Sequence, residues 1–282
     1  MKKFLTDIHT HSLFSFDGIS TLDEMIAEAF KRGVDFYGVS EHIDHDIELL
    51  GDFIEGHRFT DEEEYFHKAR HLQDDYAGCM NVFVGAEFGF TDDEAVLNSY
   101  RETVKKYAPD FVIFSVHTLR GNDYYYRSPY YKTVNGERIV RDKEEVYAEY
   151  FANVKKSVEA DFPFDIIGHI GYATRYAPYQ DRGIEYEKYP EVWDGILKSI
   201  IERGKILEVN TSNSLGVSPT LPDRDIIKRY FELGGREVSY GSDAHDTTRI
   251  LNGREAVVKM LKEIGFTYIT VPFRGEKIKI EL

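Results

Sequence analysis

The sequence predicts an α/β protein in which seven strand–helix units close a parallel sheet into a barrel, as a single domain over residues 1–282. Three observations carry this. Short apolar runs alternate with helical stretches along the whole chain. The runs are continuous in their apolar character, as strands buried on both faces are. Nearly every run also ends in His, Asp or Glu, and (β/α) barrels gather functional groups at that rim, whereas a doubly wound sheet collects its site at one switch point.

The first strand leads from Phe4 and Leu5 into Asp7-Ile8-His9-Thr10-His11. Its two histidines are two residues apart and so share one face. Thr21 to Glu24 reads as a capping box that starts a helix to about Arg32, and Gly33 ends it. Asp35 to Ser40 is the second strand and runs into Glu41-His42; a charged helix follows near 60–77. Val82 to Glu87 is the third strand, and a helix near 94–107 precedes the fourth, Phe111 to His117. Residues 120–141 are rich in Tyr and Gly and read as a long functional loop. A helix from Lys143 to Ala160 leads to the strand Phe164 to His169, and a helix near 190–203 leads to Ile206 to Asn210. The seventh unit follows a helix at 222–233 and is the run Glu237 to His245. A helix at 253–264 and a β-rich tail from Phe266 close the chain.

Composition narrows the function. Apolar residues make up 42% and charged residues 30%, which describes a globular chain. No run approaches a membrane span, and polar residues from Thr6 onward interrupt any signal-like segment. Cys79 is the single cysteine, so a disulfide framework is excluded and a reducing cytoplasm is expected. The net charge of -15 repels a phosphate backbone and argues against nucleic-acid binding. Bound divalent cations would reverse that sign locally, so a small phosphorylated substrate stays compatible. Oligomeric state is not encoded in any pattern found.

The strand ends supply His9, His11, His42, Glu87, His117, His169, Asp243 and His245, with Asp17 just beyond the first strand. Clustered His and carboxylates are the expected signature of a metal site. Nine N/O ligands exceed what one zinc takes and suffice for two or three ions if a carboxylate bridges. The lack of Cys among them points to a hydrolytic centre with open positions. The other four histidines, His45, His57, His67 and His71, read as ordinary surface residues.

These residues resemble the polymerase-and-histidinol-phosphatase (PHP) superfamily, and within it the histidinol-phosphate phosphatases. The matching motifs are Asp7 to His11, Ser40-Glu41-His42, Gly85-Ala86-Glu87, Ser115-Val116-His117, Gly168-His169 and Gly241 to His245, and they span the chain. The resemblance implies a distorted (β/α)7 barrel with three divalent ions, whose N/O ligands suit Zn, Fe or Mn. By the family pattern His9, His11, Glu87 and Asp243 would hold one ion. Glu87 would bridge to a second, completed by His117 and His169, and Asp17, His42 and His245 would hold the third. Asp at position 17 favours the phosphatase branch, and Glu41 is expected to orient an imidazole.

Adjacent ions would make hydroxide from a shared water and clamp the attacked phosphoryl group. Glu87, Asp17 and His245 are the candidate catalytic residues around that nucleophile. An alkyl alcohol leaves poorly, so its oxygen needs a proton or a metal contact. Arg175 matches a family position that binds phosphate, a task suited to a planar guanidinium. Histidinol phosphatases often read N-T-S-G-L-R after the sixth strand. Here Asn210-Thr211-Ser212-Asn213-Ser214-Leu215 lacks that arginine, for which Arg120, Arg127 and Arg249 are substitutes to consider. The expected activity is hydrolysis of L-histidinol phosphate in histidine biosynthesis. Alternatives are another PHP-type phosphoesterase, acting on phosphotyrosine or nucleotides, or a noncatalytic metal-binding module.

Overall fold

The computed structural model describes residues 4–51, 57–213 and 218–282. Seven strands form the main path of one parallel sheet: β1 (Thr6–Asp7), β2 (Phe36–Val39), β3 (Asn81–Gly89), β4 (Phe111–Ser115), β5 (Ile166–Ile167), β6 (Ile206–Asn210) and β7 (Val238–Gly241), and the two-residue segment His42–Ile43 pairs in parallel with the end of β3 as an eighth. They lie side by side in chain order. The sheet nearly closes on itself, because the chain beyond β7 meets the chain beyond β1. A parallel bridge joins Thr10 to Ala244, the His11 N–H donates to the Ala244 carbonyl, and the Asp243 N–H donates to the His9 carbonyl, both at 2.8 Å. The result is a distorted (β/α)7 barrel. The regular part of β1 is shorter than the apolar run suggested, because the backbone after Asp7 pairs through isolated bonds at the seam.

Seven helices follow the seven strands: α1 (Leu22–Lys31), α2 (Glu62–Asp75), α3 (Glu94–Tyr107), α4 (Lys143–Glu159), α5 (Pro190–Glu202), α6 (Arg224–Glu232) and α7 (Arg254–Ile264). The Thr21–Glu24 capping box is present, and Gly33 takes a positive φ of 75° after the helix. The apolar stripes of the helices pack on the outer face of the sheet; Met25, Tyr65, Tyr100, Tyr150, Trp193 and Tyr230 are all essentially buried there. Among the described residues, no helix is long and apolar enough to cross a membrane.

The barrel interior is filled at its lower end by Ile8, Phe83, Phe111, Ile113, Ile166 and Ile206. Gly85 is required here, because a Cβ on it would enter the Phe111 ring. The tail forms an antiparallel hairpin of β8 (Tyr268–Phe273) and β9 (Glu276–Glu281), whose Val271 and Ile280 join this cluster. Arg274 Nε donates to Asp110 Oδ1 (2.8 Å), Lys277 Nζ to the Gly204 carbonyl (2.7 Å) and Thr270 Oγ1 to Glu237 Oε2 (2.7 Å). Asp110, Gly204 and Glu237 each precede a strand, so the hairpin seals the N-terminal mouth of the barrel. The opposite rim is left for the site.

Residues 120–141 are more ordered than a loop. Thr118–Leu119 pairs with Asn122–Asp123, two 3-10 turns follow, and Tyr131–Val134 pairs with Glu137–Val140. Tyr124 and Tyr130 are fully buried, with their rings 5.5 Å apart, while Tyr125 stays at the rim. The Tyr-rich composition thus serves packing and cleft lining together.

Candidate active site

Glu87, at the C-terminal end of β3, is the centre of the site. Its Oε2 faces His42 Nδ1 at 3.1 Å, His9 Nε2 at 3.3 Å and His11 Nε2 at 3.5 Å. Its Oε1 faces His169 Nε2 at 2.8 Å and His117 Nε2 at 3.1 Å, and accepts from Ser115 Oγ at 2.6 Å. Asp243 enters from the seam, with Oδ1 3.4 Å from His11 Nε2. It does so from a left-handed backbone (φ 52°), which Asp tolerates better than most residues. Asp17 sits at the solvent edge, its Oδ1 3.1 Å from His245 Nε2 and 3.7 Å from His42 Nε2. The nine candidate ligands therefore converge on one cleft.

The outer hydrogen bonds decide which ring nitrogens point inward as lone pairs. His9 Nδ1 lies 2.6 Å from Glu208 Oε1, and an ionised carboxylate only accepts, so this nitrogen carries the proton. His245 Nδ1 donates likewise to the Asp243 carbonyl at 3.0 Å. For His11 the argument takes one more step. The Ser15 hydroxyl proton goes to Glu41 at 2.6 Å, so Ser15 Oγ must accept from His11 Nδ1 at 3.1 Å. When neutral, all three rings turn an Nε2 lone pair toward carboxylate oxygens. Burial lowers the His9 and His245 pKa values, but the facing carboxylates, Glu208 and Glu87 for His9 and Asp17 for His245, outweigh it and raise both, so a bound cation takes the place of the second proton. Burial, with His42 and His245 beside it, drives the His11 pKa well below the usual imidazole range, which keeps it neutral. Burial opposes ionisation of Glu87, but the surrounding imidazoles, His9 foremost, hold it well below the usual carboxylate range.

Lone pairs facing carboxylates repel unless a cation lies between them. His9 Nε2 and His11 Nε2 are 3.0 Å apart, and His117 Nε2 and His169 Nε2 are 3.3 Å apart. Two nitrogens bound to one zinc at a tetrahedral angle lie about 3.3 Å from each other. Buried Glu87 Oε2, His42 Nδ1 and His245 Nε2 have no hydrogen-bond partner. Several groups of three potential ligands cluster here, among them His9–His11–Glu87 and His42–Glu87–His117. The side chains thus fit a centre of more than one divalent ion.

Arg175 follows His169 by one 3-10 turn and is only 9% exposed. Its Nε and Nη2 have no hydrogen-bond partner, its Nη2 lies 3.8 Å from Asp243 Oδ2, and Tyr172 packs against the guanidinium at 5.1 Å. A buried guanidinium with spare donors beside the ligand cluster is a ready anion site.

A family model for the PHP domain matches residues 7–212. The chain belongs to the PHP domain family. It is 32% identical over 241 residues to a probable histidinol-phosphatase of Clostridium acetobutylicum, covering 85% of this chain and 86% of that one. It is 26% identical over 279 residues to the histidinol-phosphatase of Lactococcus lactis, covering 99% and 97%. The crystal structure of histidinol phosphate phosphatase from Lactococcus lactis, complexed with Zn, L-histidinol and phosphate, has the same fold, with a TM-score of 0.78 over 98% of this chain and 99% of that one at 24% identity. This PHP-family chain is thus histidinol-phosphatase-like in sequence and in fold.

Other arginines considered for the PHP site are not brought to it. Arg120 has a positive φ of 56° that turns its side chain outward, where it is 83% exposed and reaches toward Glu149. Arg127 is exposed on a similar left-handed turn. Arg249 rides a 3-10 turn braced by Arg32, which donates to the Thr248 and Ile250 carbonyls, and it does not line the cleft. In the stretch after β6, Asn210 Nδ2 donates to Asp243 Oδ2 at 3.3 Å; Ser214 and Leu215 lie outside the described residues.

Two of the histidines expected at the surface are half-buried. His45 bonds Glu62 (2.7 Å) and Ser99 (2.8 Å) and stacks on Tyr100, and His57 packs on Phe16. His67 and His71 are exposed as expected. Glu41 touches no imidazole. Its carboxylate takes the N–H and O–H of both Ser12 and Ser15, so it reaches His11 through Ser15. Glu208 was missed by sequence reasoning. It is buried, it bonds His9 Nδ1, and it accepts the backbone N–H of His169 at 2.6 Å. Gly241 makes room for it, since a Cβ there would strike its carboxylate. The available signal was a lone carboxylate in the middle of an apolar strand.

Proposed function

We propose that this PHP-family protein is a metal-dependent phosphomonoesterase that hydrolyses L-histidinol phosphate to L-histidinol and phosphate. The observation that carries the reading is the placement of Arg175, with its partnerless donors, beside imidazole lone pairs gathered on Glu87. One feature is built for cations and its neighbour for an anion, as a metal-bound phosphoryl group demands. The relatives named histidinol-phosphatase supply the substrate.

In this reading His9, His11, Glu87 and Asp243 hold one ion, Glu87 with His117 and His169 a second, and Asp17, His42 and His245 a third. The ions are Zn, Fe or Mn. Bound ions supply Lewis acidity that activates water and neutralises phosphoryl charge. Arg175 orients the phosphoryl oxygens turned away from the ions. Glu208, Ser15 and the Asp243 carbonyl fix the Nδ1 proton on His9, His11 and His245, so each ring would meet its ion through Nε2.

Steady-state hydrolysis of a panel of phosphomonoesters tests the proposal. L-histidinol phosphate should give the highest kcat/KM, above p-nitrophenyl phosphate despite the better leaving group of the latter. Equal rates on both would leave a general phosphoesterase. Turnover of none, with ions bound, would favour a noncatalytic metal-binding module.

A further inference from the structure

Arg120, which the catalytic cleft leaves out, belongs to a second charged groove. Residues 120–141 carry five basic side chains, Arg120, Arg127, Lys132, Arg138 and Arg141, against Asp123 and Glu137, in a chain with 50 acidic and 35 basic residues. Four of these five, all but Arg127, line a groove of about 580 Å³ beside the paired segments Thr118–Asp123 and Tyr131–Val140. Among the described residues no Asp or Glu lines it. No residue lines both this groove and the catalytic cleft; the turn Tyr124–Tyr126 gives Tyr125 to the cleft and Tyr126 to the groove. Arg141 is the fixed cation, its side chain 12% exposed. Its Nη2 donates to Glu149 at 2.9 Å and Glu145 at 3.0 Å, and its Nη1 to the Pro129 carbonyl at 3.1 Å. With both carboxylates engaged, Lys132 Nζ stays 3.9 Å from Glu145 and Arg120 Nη2 4.0 Å from Glu149, beyond hydrogen-bond reach. Arg138 has no carboxylate or hydrogen-bond partner among the described residues. It lies over the Tyr131 ring at 4.2 Å, which holds the guanidinium in place and leaves its N–H donors unpaired.

Cations gathered without counter-ions repel one another, and an entering anion relieves that repulsion. The groove's volume is that of a small-molecule site. Arg120 and Arg138 offer planar forks, and Lys132 with the Ser128 and Thr133 hydroxyls adds single donors from other directions. That set matches a tetrahedral oxyanion with several oxygens and two charges. We propose that the groove is a second anion site, which takes a small dianion of the phosphate class, either free phosphate or the head group of a phosphate ester. A carboxylate presents two oxygens in one plane and leaves part of the donor set unpaired. A nucleic-acid backbone brings the right oxyanion, but along its length it would meet a protein of net charge -15. The site goes beyond the phosphomonoesterase reading and does not depend on it, since it uses neither Arg175 nor any of the nine candidate metal ligands.

Equilibrium dialysis of the metal-loaded protein tests this, with inorganic phosphate and with ethylphosphonate, whose carbon–phosphorus bond resists hydrolysis. Wild type should bind phosphate in two classes, one at the cleft and one at the groove. Arg138→Gln and Lys132→Gln should each weaken the groove class by about tenfold or more, and together they should remove it, while turnover in phosphate-free buffer is unchanged. Arg175→Ala should disturb the other class and spare this one. Phosphate bound in preference to ethylphosphonate identifies the free ion as the ligand, and both bound alike an ester head group. A single class of sites that Arg138→Gln leaves unchanged overturns the proposal. So does succinate bound as tightly as phosphate, which would make the groove a nonspecific basic surface. A hexaglutamate peptide or a short oligonucleotide bound more tightly than phosphate, with the same dependence on Arg138, overturns it in favour of a docking surface for a macromolecule. If either variant fails to fold by thermal melting, Arg120→Gln, at a side chain 83% exposed, decides in its place. A protein that shows the groove class but hydrolyses no phosphomonoester keeps this site and refutes only the phosphatase.

Discussion

Glu208 accepts the Nδ1 proton of His9 at 2.6 Å. Carboxylates that brace a metal-binding imidazole raise its basicity and fix its ring, and their loss typically weakens metal binding 10–100-fold. Glu208→Gln should therefore lower metal affinity by roughly 10-fold or more while the chain stays folded. Competition against a chelator, read beside the melting curve, checks this. Unchanged affinity would reduce Glu208 to a packing role.

Glu87→Ala should strip more metal than His245→Ala. Glu87 faces five imidazoles across both of its oxygens, whereas His245 Nε2 faces Asp17 at the edge. Elemental analysis of the purified variants measures the difference. Equal loss in both would argue against a bridging carboxylate.

Arg175→Ala should cost roughly 2–4 kcal/mol of transition-state stabilisation in kcat/KM, the scale of other lost donors to developing charge. Arg175→Lys should recover only part of it, because a point charge cannot reproduce the planar fork. Full activity in the alanine variant would remove Arg175 from the phosphate site.

Removing metal should abolish turnover and lower the melting temperature together, since ions held only by the native state stabilise it by roughly 2–3 kcal/mol at hundredfold excess over Kd. Calorimetry before and after chelation, then after adding Zn, Mn or Fe back, reads both effects. Full activity in protein with no more than trace metal would sink the metal assignment.

Asp110 offers a pH test far from the ligands. Burial opposes its charge, but the Val84 N–H, Arg274, Gln73 and Arg70 outweigh that and hold its pKa below the usual carboxylate value. A depressed pKa means stability present above the unfolded-state value and lost as pH falls through the folded one. Asp110→Asn should thus destabilise by about 1–3 kcal/mol at neutral pH, and its deficit should shrink in acid. Denaturant melts at neutral and acid pH measure this. A deficit independent of pH would refute it.

The strand–helix order and the rim ligands were legible because each depends on local pattern. An apolar run ending in His117 or His169 announces both a buried strand and what it delivers. Glu208 was hidden by the same logic. Ile206, Glu208 and Asn210 share the inward face of β6, but whether that face meets core or site changes within two residues, and a run of apolar neighbours does not mark the change. The pairing of His45 with Glu62 and Ser99 depends on how helices dock, so it leaves no trace in sequence spacing. The outward turn of Arg120 rests on one backbone angle. The hairpins within 120–141 were obscured because tyrosine is as common in packed cores as at open clefts.

The closing seam has a consequence for how the protein is made. The cleft takes side chains from His9 near one end of the described chain and from His245 near the other, and the bonds that hold these ends together are the Asp243–His9 and His11–Ala244 pairs. A nascent chain that has not yet reached Val238 already carries His9, His11, His42, Glu87, His117 and His169, but lacks Asp243, His245 and the seam itself. The full set of candidate ligands therefore exists only once the chain has been made through His245.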